Sequence, residues 1–364
     1  MATVTEPSHT VPHARSIDID VVRAVALIGV AVMNYHGYLN GGAAADDESF
    51  FGNVFDPWQG PLSTRFAATF VTVAGIGVAL LARRAIASRD RAAIDEIRWI
   101  LVRRGVLLFA FGYFLDWIWP GTILFFYGAY FVVGAAILTL RIRWVLAIGI
   151  GAALAAAALH WWAIHHKLTW LLSGESERSH SPRDLLFDVT VRGTHPLLPW
   201  LVFFCIGIVL GRLIPWRTEL QLNLAFAGVL AVIVGYALAG NLPWDGRLQT
   251  TYPFDRGLLY TLTTVGSSLV AVIGIGAIAR ATSESAITRA LAVAGRTTLT
   301  LYVLHVLVFN VVVNQLDWID RESGLATALV FAIGFWVVAV LLANWWNRMF
   351  PMGPLEWLYR RFSD

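Results

Sequence analysis

Apolar residues run along this chain in long stretches, and the polar positions fall between the stretches instead of alternating with apolar ones. A helix needs about 20 such residues to cross the roughly 30 Å hydrocarbon layer of a bilayer. Continuous apolarity predicts helices, whereas a membrane barrel would alternate with period two. Ten spans are expected, near residues 17–38, 62–82, 104–119, 121–140, 144–164, 197–215, 219–240, 257–279, 297–316 and 324–346. Several start at proline or contain glycine, which membrane helices tolerate where neighbours satisfy the freed backbone groups. The expected fold is an all-α polytopic membrane protein, a bundle of about ten transmembrane helices.

Composition narrows the class. The 364 residues are 57% hydrophobic and 14% charged, against roughly 25% charged in soluble proteins. The lipid bilayer is therefore the first partner, and one large water-soluble enzyme is excluded. A net charge of +3 is too small an excess for a nucleic-acid binder, whose footprint is a dense basic patch. Cys205 is the only cysteine, so disulfides, cysteine-rich zinc sites and iron–sulfur clusters have no ligands. The histidines show no metal-ligand spacing, and no metal is expected.

The arginines then orient the bundle. Arginine-rich connections at 83–104, 141–143, 212–217, 280–296 and 348–361 are separated by pairs of spans. With Arg15 they hold 18 of the 27 basic residues on one side. The positive-inside bias assigns that side, and both termini, to the cytoplasm. Residues 1–14 read as a short disordered cytoplasmic tail, followed by one transmembrane domain over 15–364. The cluster Ala43-Ala44-Ala45 follows the first apolar run, but Asp18 and Asp20 interrupt the basic region and the run is long for a signal core, so it reads as a retained span. The opposite face carries Asp46, Asp47, Glu48, Asp56, Asp317, Asp320 and Glu322 and tends to acidic.

Polar side chains within or beside the spans are the candidates for chemistry, because hydrocarbon penalises them by several kcal/mol unless they face protein, a partner or water. Asp20, Arg23 and Asn34 share one face of the first span, and Asp20 can pair with Arg23 at i,i+3. That pair reads equally as packing glue. Asn34 and His36 sit at the outer end, pointing apart if the helix continues, and Gly37 suggests that it turns there. The segment Phe55-Asp56-Pro57-Trp58-Gln59-Gly60-Pro61 suits a sugar or headgroup pocket, or a plain interfacial turn. Arg65 opens the second span, and Asp116, Trp119 and Tyr127 repeat the acidic and aromatic theme at the third and fourth. Asp116 either neutralises Arg65 or orients an imidazole. His305, deep in the ninth span beside Tyr302, either lines a tunnel or makes an interhelical hydrogen bond.

These positions carry a resemblance. Arg15-Ser-Ile-Asp18-Ile-Asp20-Val-Val-Arg23-Ala24, ending in Asn34, is similar to the "R-x-x-x-x-D-x-x-R-G-x-A" opening of the YeiB-like family and of the heparan-alpha-glucosaminide N-acetyltransferase catalytic domain. Trp58-Gln-Gly60 resembles their "W-x-G" loop. Pro120-Gly121, His195-Pro-Leu-Leu-Pro199-Trp200, Gly295-Arg296 through Tyr302 and His305, and Gly353-Pro-Leu-Glu356 extend the match over nearly the whole chain. The chain departs at Phe55, where the family places a luminal histidine shortly before "W-x-G", and at Ala24, which replaces a glycine.

The resemblance implies transfer of an acetyl or other short acyl group from acyl-CoA, the co-substrate, to a sugar or glycolipid of the cell envelope at the extracytoplasmic face of a bacterial inner membrane. His36 or Asp56 would then stand in for the missing histidine as base, with Asn34 as oxyanion donor and Asp116 as orienter. His305, Arg23, Arg296 and Tyr302 would hold the coenzyme, and Trp58, Arg65, Trp119 and Tyr127 the acceptor. A homodimer is compatible with this reading. The rivals are a transporter or flippase of a lipid-linked or anionic solute and a structural membrane partner.

Overall fold

The computed structural model describes residues 17–39, 49–172, 181–243 and 246–363. The expected tail over 1–14, Arg15, the Ala43 to Ala45 cluster and the acidic Asp46 to Glu48 lie outside the described residues. All regular structure among the described residues is helical. The main helices are α1 (Ile17–Leu39), α2 (Arg65–Ser88), α3 (Arg91–Leu115), α4 (Leu124–Ile137), α5 (Ile142–His165), α6 (Leu197–Arg212), α7 (Thr218–Leu238), α8 (Leu258–Ala281), α9 (Ala286–Arg296), α10 (Thr298–Phe309), α11 (Gly324–Asn347) and α12 (Pro354–Ser363).

The chain is a multi-pass membrane protein. Six helical segments are long and apolar enough to cross a bilayer: α2, α5, α7, α8, α10 with its continuation to Gln315, and α11. The helix over Pro182–Arg192 and α6, bent by 57° at the break between them, make a seventh if they act as one span. The other expected spans coincide with helices of a different character. Asp18, Asp20 and Arg23 charge the start of α1, and α4 has only 14 residues. The expected span at 104–119 begins in mid-helix, because α3 starts at Arg91, capped by Asp90, whose side chain accepts from the Ala92 N–H. Much of the arginine stretch read as a connection is thus its first turns.

Helix α1 is the hub, packed against α2, α8, α9, α10 and α11. It continues through Gly37 to Leu39 without the expected turn. Its acidic first turn complements the positive end of its own helix dipole and is ion-paired, as buried carboxylates must be. Asp18 meets Arg280 at 2.5 Å, and Asp20 lies 3.5 Å from both Arg23 and Arg296. Helices α2 and α6 cross closely because Gly75 faces Gly207, and a methyl group on either would strike the opposite backbone. By contrast α7 buries only Gly228 and Gly235 among the described residues and packs chiefly on α8. At the arginine-rich end α12 folds back, with Glu356 accepting from the N–H groups of Leu299 (2.6 Å) and Thr300 (3.1 Å) at the start of α10. Its far end is fixed by Arg104, which donates to Ser363 Oγ at 3.0 Å.

Candidate functional site

Two cavities lie at opposite ends of the bundle. The inner one, about 530 Å³, is framed by the starts of α1 and α10, the middles of α2 and α3, the first half of α4, the end of α9, and α12. Leu101, Leu108, Phe70 and Phe131 form apolar walls, and Arg23, Arg104, Arg296 and Arg360 bring four cations to them. Asp20 ties two of those arginines together, while Arg104 stacks over Tyr359, its guanidinium carbon 5.2 Å from the ring centre. Tyr127 also lines this inner space, and its buried hydroxyl has no hydrogen-bond partner among the described residues. Arginine suits this position because its planar fork pairs with phosphate oxygens.

The outer cavity, about 280 Å³, is bounded by the end of α1, the start of α2, the α3–α4 connection and the loops before α6 and α8. Asn34, Tyr38, Trp58, Thr64, Trp119, Thr194, His195 and Phe254 line it. Neither a carboxylate nor an arginine is among its lining residues. Tyr302 lines both cavities. Its hydroxyl meets Thr122 Oγ1 at 2.9 Å and the Ile123 N–H at 3.2 Å, which fixes the ring at the junction. Beside it His305 is fully buried, with Trp119, Tyr35 and Tyr302 around its ring, and its Nε2 lies 3.3 Å from Asn34 Nδ2. His305 therefore meets Asn34 across helices and is not among the residues that line either cavity.

The residues expected from the sequence divide into three groups. Arg23, Arg296, Tyr302 and Tyr127 meet in the inner cavity, so Tyr127 sits with the proposed coenzyme residues and not with the acceptor residues. Asn34, Trp58 and Trp119 meet in the outer one. His36, Asp56, Asp116 and Arg65 line neither. His36 is buried, its Nδ1 2.7 Å from the carbonyl oxygen of Phe55. Asp56 accepts from the N–H groups of Trp58 (2.7 Å) and Gln59 (3.0 Å), and Asp116 from that of Gly121 (2.8 Å), so each carboxylate shapes a turn bearing a wall tryptophan. Arg65 does not pair with Asp116. It donates to Thr263, Thr264 and the Thr251 carbonyl and stacks over Tyr260, pinning α2 to α8.

Sequence reasoning passed over Arg104 and Arg360 as topological charges, and over His195 as the lead into a span. Their signal was present. Arg104 and Arg360 each neighbour a further arginine, Arg103 and Arg361, and His195 lies in Gly193-Thr194-His195-Pro196, a polar interruption between apolar segments of the kind that lines intramembrane sites.

A family model described as heparan-alpha-glucosaminide N-acetyltransferase, catalytic, matches residues 15–240, and a model described as protein of unknown function (DUF418) matches residues 212–364. The first match holds Arg23, Asn34, Trp58, Trp119 and His195, and the second Arg296, Tyr302, His305 and Glu356, so each cavity is built from both segments. No curated protein matches the chain.

Proposed function

Because the chain belongs to the heparan-alpha-glucosaminide N-acetyltransferase catalytic family, with a YeiB-like C-terminal part, we propose that it moves an acetyl or other short acyl group from acyl-CoA to a sugar or glycolipid acceptor of the cell envelope. The observation that carries this reading is the pairing of two chemically unlike cavities across one tyrosine. A thioester of coenzyme A is anionic at its nucleotide end and apolar along its pantetheine, matching the four arginines and the leucine and phenylalanine walls of the inner cavity. The acceptor side has tryptophans, amide and hydroxyl groups without fixed charge, a surface on which a neutral sugar can stack and hydrogen-bond.

In this reading Arg23, Arg104, Arg296 and Arg360 take the phosphates, and the thioester reaches past Tyr302 toward Asn34. The Asn34 amide donates to the oxygen that becomes negative when the acceptor attacks, and His305 holds the amide in place. A water-poor, aromatic cavity strengthens that donor relative to water. In this proposal the arginine end faces the cytoplasm together with both termini, α1, α3, α4 and α6 join the other spans to make ten, and the acceptor cavity opens at the external face of an inner membrane.

The test is turnover of acyl-CoA by the purified protein in proteoliposomes containing a panel of envelope glycans and glycolipids, followed by mass spectrometry of the products. Acyl transfer with release of coenzyme A is the expected result. Solute movement without any acyl-CoA would instead establish a carrier.

A further inference from the structure

We propose that His195 is the base that takes the acceptor's proton, a role that rests on the acyltransferase reading and that no resemblance assigns to this residue. It lies in the four-residue break where the helix over Pro182–Arg192 meets α6 at 57°. Irregular backbone within a bundle is tolerated where protein satisfies its polar groups or where it lines a cavity, and both conditions hold. Arg256 donates to the carbonyls of Arg192 (2.7 Å) and Gly193, and Tyr130 donates to the carbonyl of His195 itself. The imidazole is clamped edge to face by Trp200, 4.5 Å away between ring centres, and by Phe126 at 5.7 Å.

His195 Nδ1 lies 2.8 Å from Thr194 Oγ1, which lies 3.4 Å from the Gly121 carbonyl oxygen. In the proposed state the Thr194 hydroxyl turns to that carbonyl and accepts from Nδ1–H, which leaves the lone pair on Nε2. Among the described residues the ring's hydrogen-bond partner is Thr194, at Nδ1, and the residue lines the outer cavity. The other titratable groups on that wall are the phenols of Tyr38, which donates to the Pro120 carbonyl, and Tyr302, held at Thr122. Behind the ring, Arg256 is held by the carbonyls of Arg192 and Gly193, and Asp188 is paired with Arg192 at 2.8 Å.

The step balances as follows. The acceptor O–H proton passes to Nε2 as its oxygen pair bonds the thioester carbonyl carbon, and the carbonyl pair moves onto oxygen beside Asn34. Collapse reforms the carbonyl and breaks the C–S bond, and the thiolate recovers the proton from Nε2–H, giving ester and coenzyme A thiol.

The experiment compares wild type, His195→Gln, His195→Ala and the control His165→Gln in nanodiscs, measuring acyl-CoA affinity, thermal stability and the pH profile of transfer. Removing a general base costs about 10² to 10⁴ in rate. His195→Gln is expected to lose at least about 100-fold in kcat with acyl-CoA affinity kept within about twofold, added imidazole to restore part of the activity of His195→Ala, and His165→Gln to match wild type. Wild-type activity should fall as acid protonates Nε2, and the residual activity of His195→Gln should lack that limb. Activity surviving in His195→Gln, or a loss in both variants explained by unfolding with no imidazole rescue, overturns the assignment. Wild-type protein that neither binds nor consumes acyl-CoA overturns the acyltransferase reading itself.

Discussion

The inner and outer cavities share Tyr302 but are built on opposite principles. The inner one gathers charge, with four arginines and the acids Asp20 and Glu356 around apolar walls. The outer one is free of fixed charge, and the carboxylates closest in sequence, Asp56 and Asp116, are turned into the backbone of its rim. Under the proposed function a ligand with a phosphorylated end and an apolar arm would occupy the first, and a neutral polyhydroxylated ligand the second. The charge difference is what separates the two substrates in that proposal, and the shared tyrosine marks where their reactive ends would meet.

The largest effect that would sharpen this contrast is expected at Asn34. Replacement by alanine removes the proposed oxyanion donor, so kcat should fall by about 10² to 10³ with acyl-CoA affinity nearly unchanged. Loss of affinity in step with rate would mean that the two cavities are not separate. Next come the arginines. Arg296→Gln should raise the Kd for acyl-CoA by about tenfold, since a charge-assisted hydrogen bond contributes about 1.5–3 kcal/mol, and should leave the Kd of a pantetheine thioester lacking the nucleotide unaltered. Equal weakening of both ligands in calorimetry would break the assignment of the phosphates to the inner end.

A smaller change is expected at the junction. Tyr302→Phe removes the bonds to Thr122 Oγ1 and the Ile123 N–H, worth about 0.5–1.5 kcal/mol each, and should alter kcat several-fold while both substrates still bind. The smallest is at the C-terminal helix. Glu356→Gln weakens the cap on α10 and should cost about 1 kcal/mol in stability, seen as a lower thermal midpoint that acyl-CoA partly restores.

The helical bundle was legible because apolar runs of span length admit little else, and Asp20 with Arg23 was legible because i,i+3 spacing is local. The inner cavity was half visible: Arg23 and Arg296 stood out, whereas Arg104 and Arg360 reach it only because α12 folds back across 250 residues of sequence, which no local pattern encodes. In the outer cavity Trp58 and Trp119 were identified as wall aromatics, but their acidic neighbours invited a catalytic reading that the turns claim instead. His36 drew attention by standing two residues from Asn34, yet α1 continues as a helix and carries the two side chains to different neighbours. His195 was overlooked because it belongs to neither adjoining helix, and it is the break between them that aims it.

The most direct test of the central claim is sidedness. Protein reconstituted in one known orientation is supplied with acyl-CoA on one side of the membrane at a time, with acceptor present on both. Transfer only when acyl-CoA meets the arginine-rich end, with product appearing on the opposite side, is the predicted result; transfer driven by acyl-CoA supplied to the outer-cavity side would contradict the account.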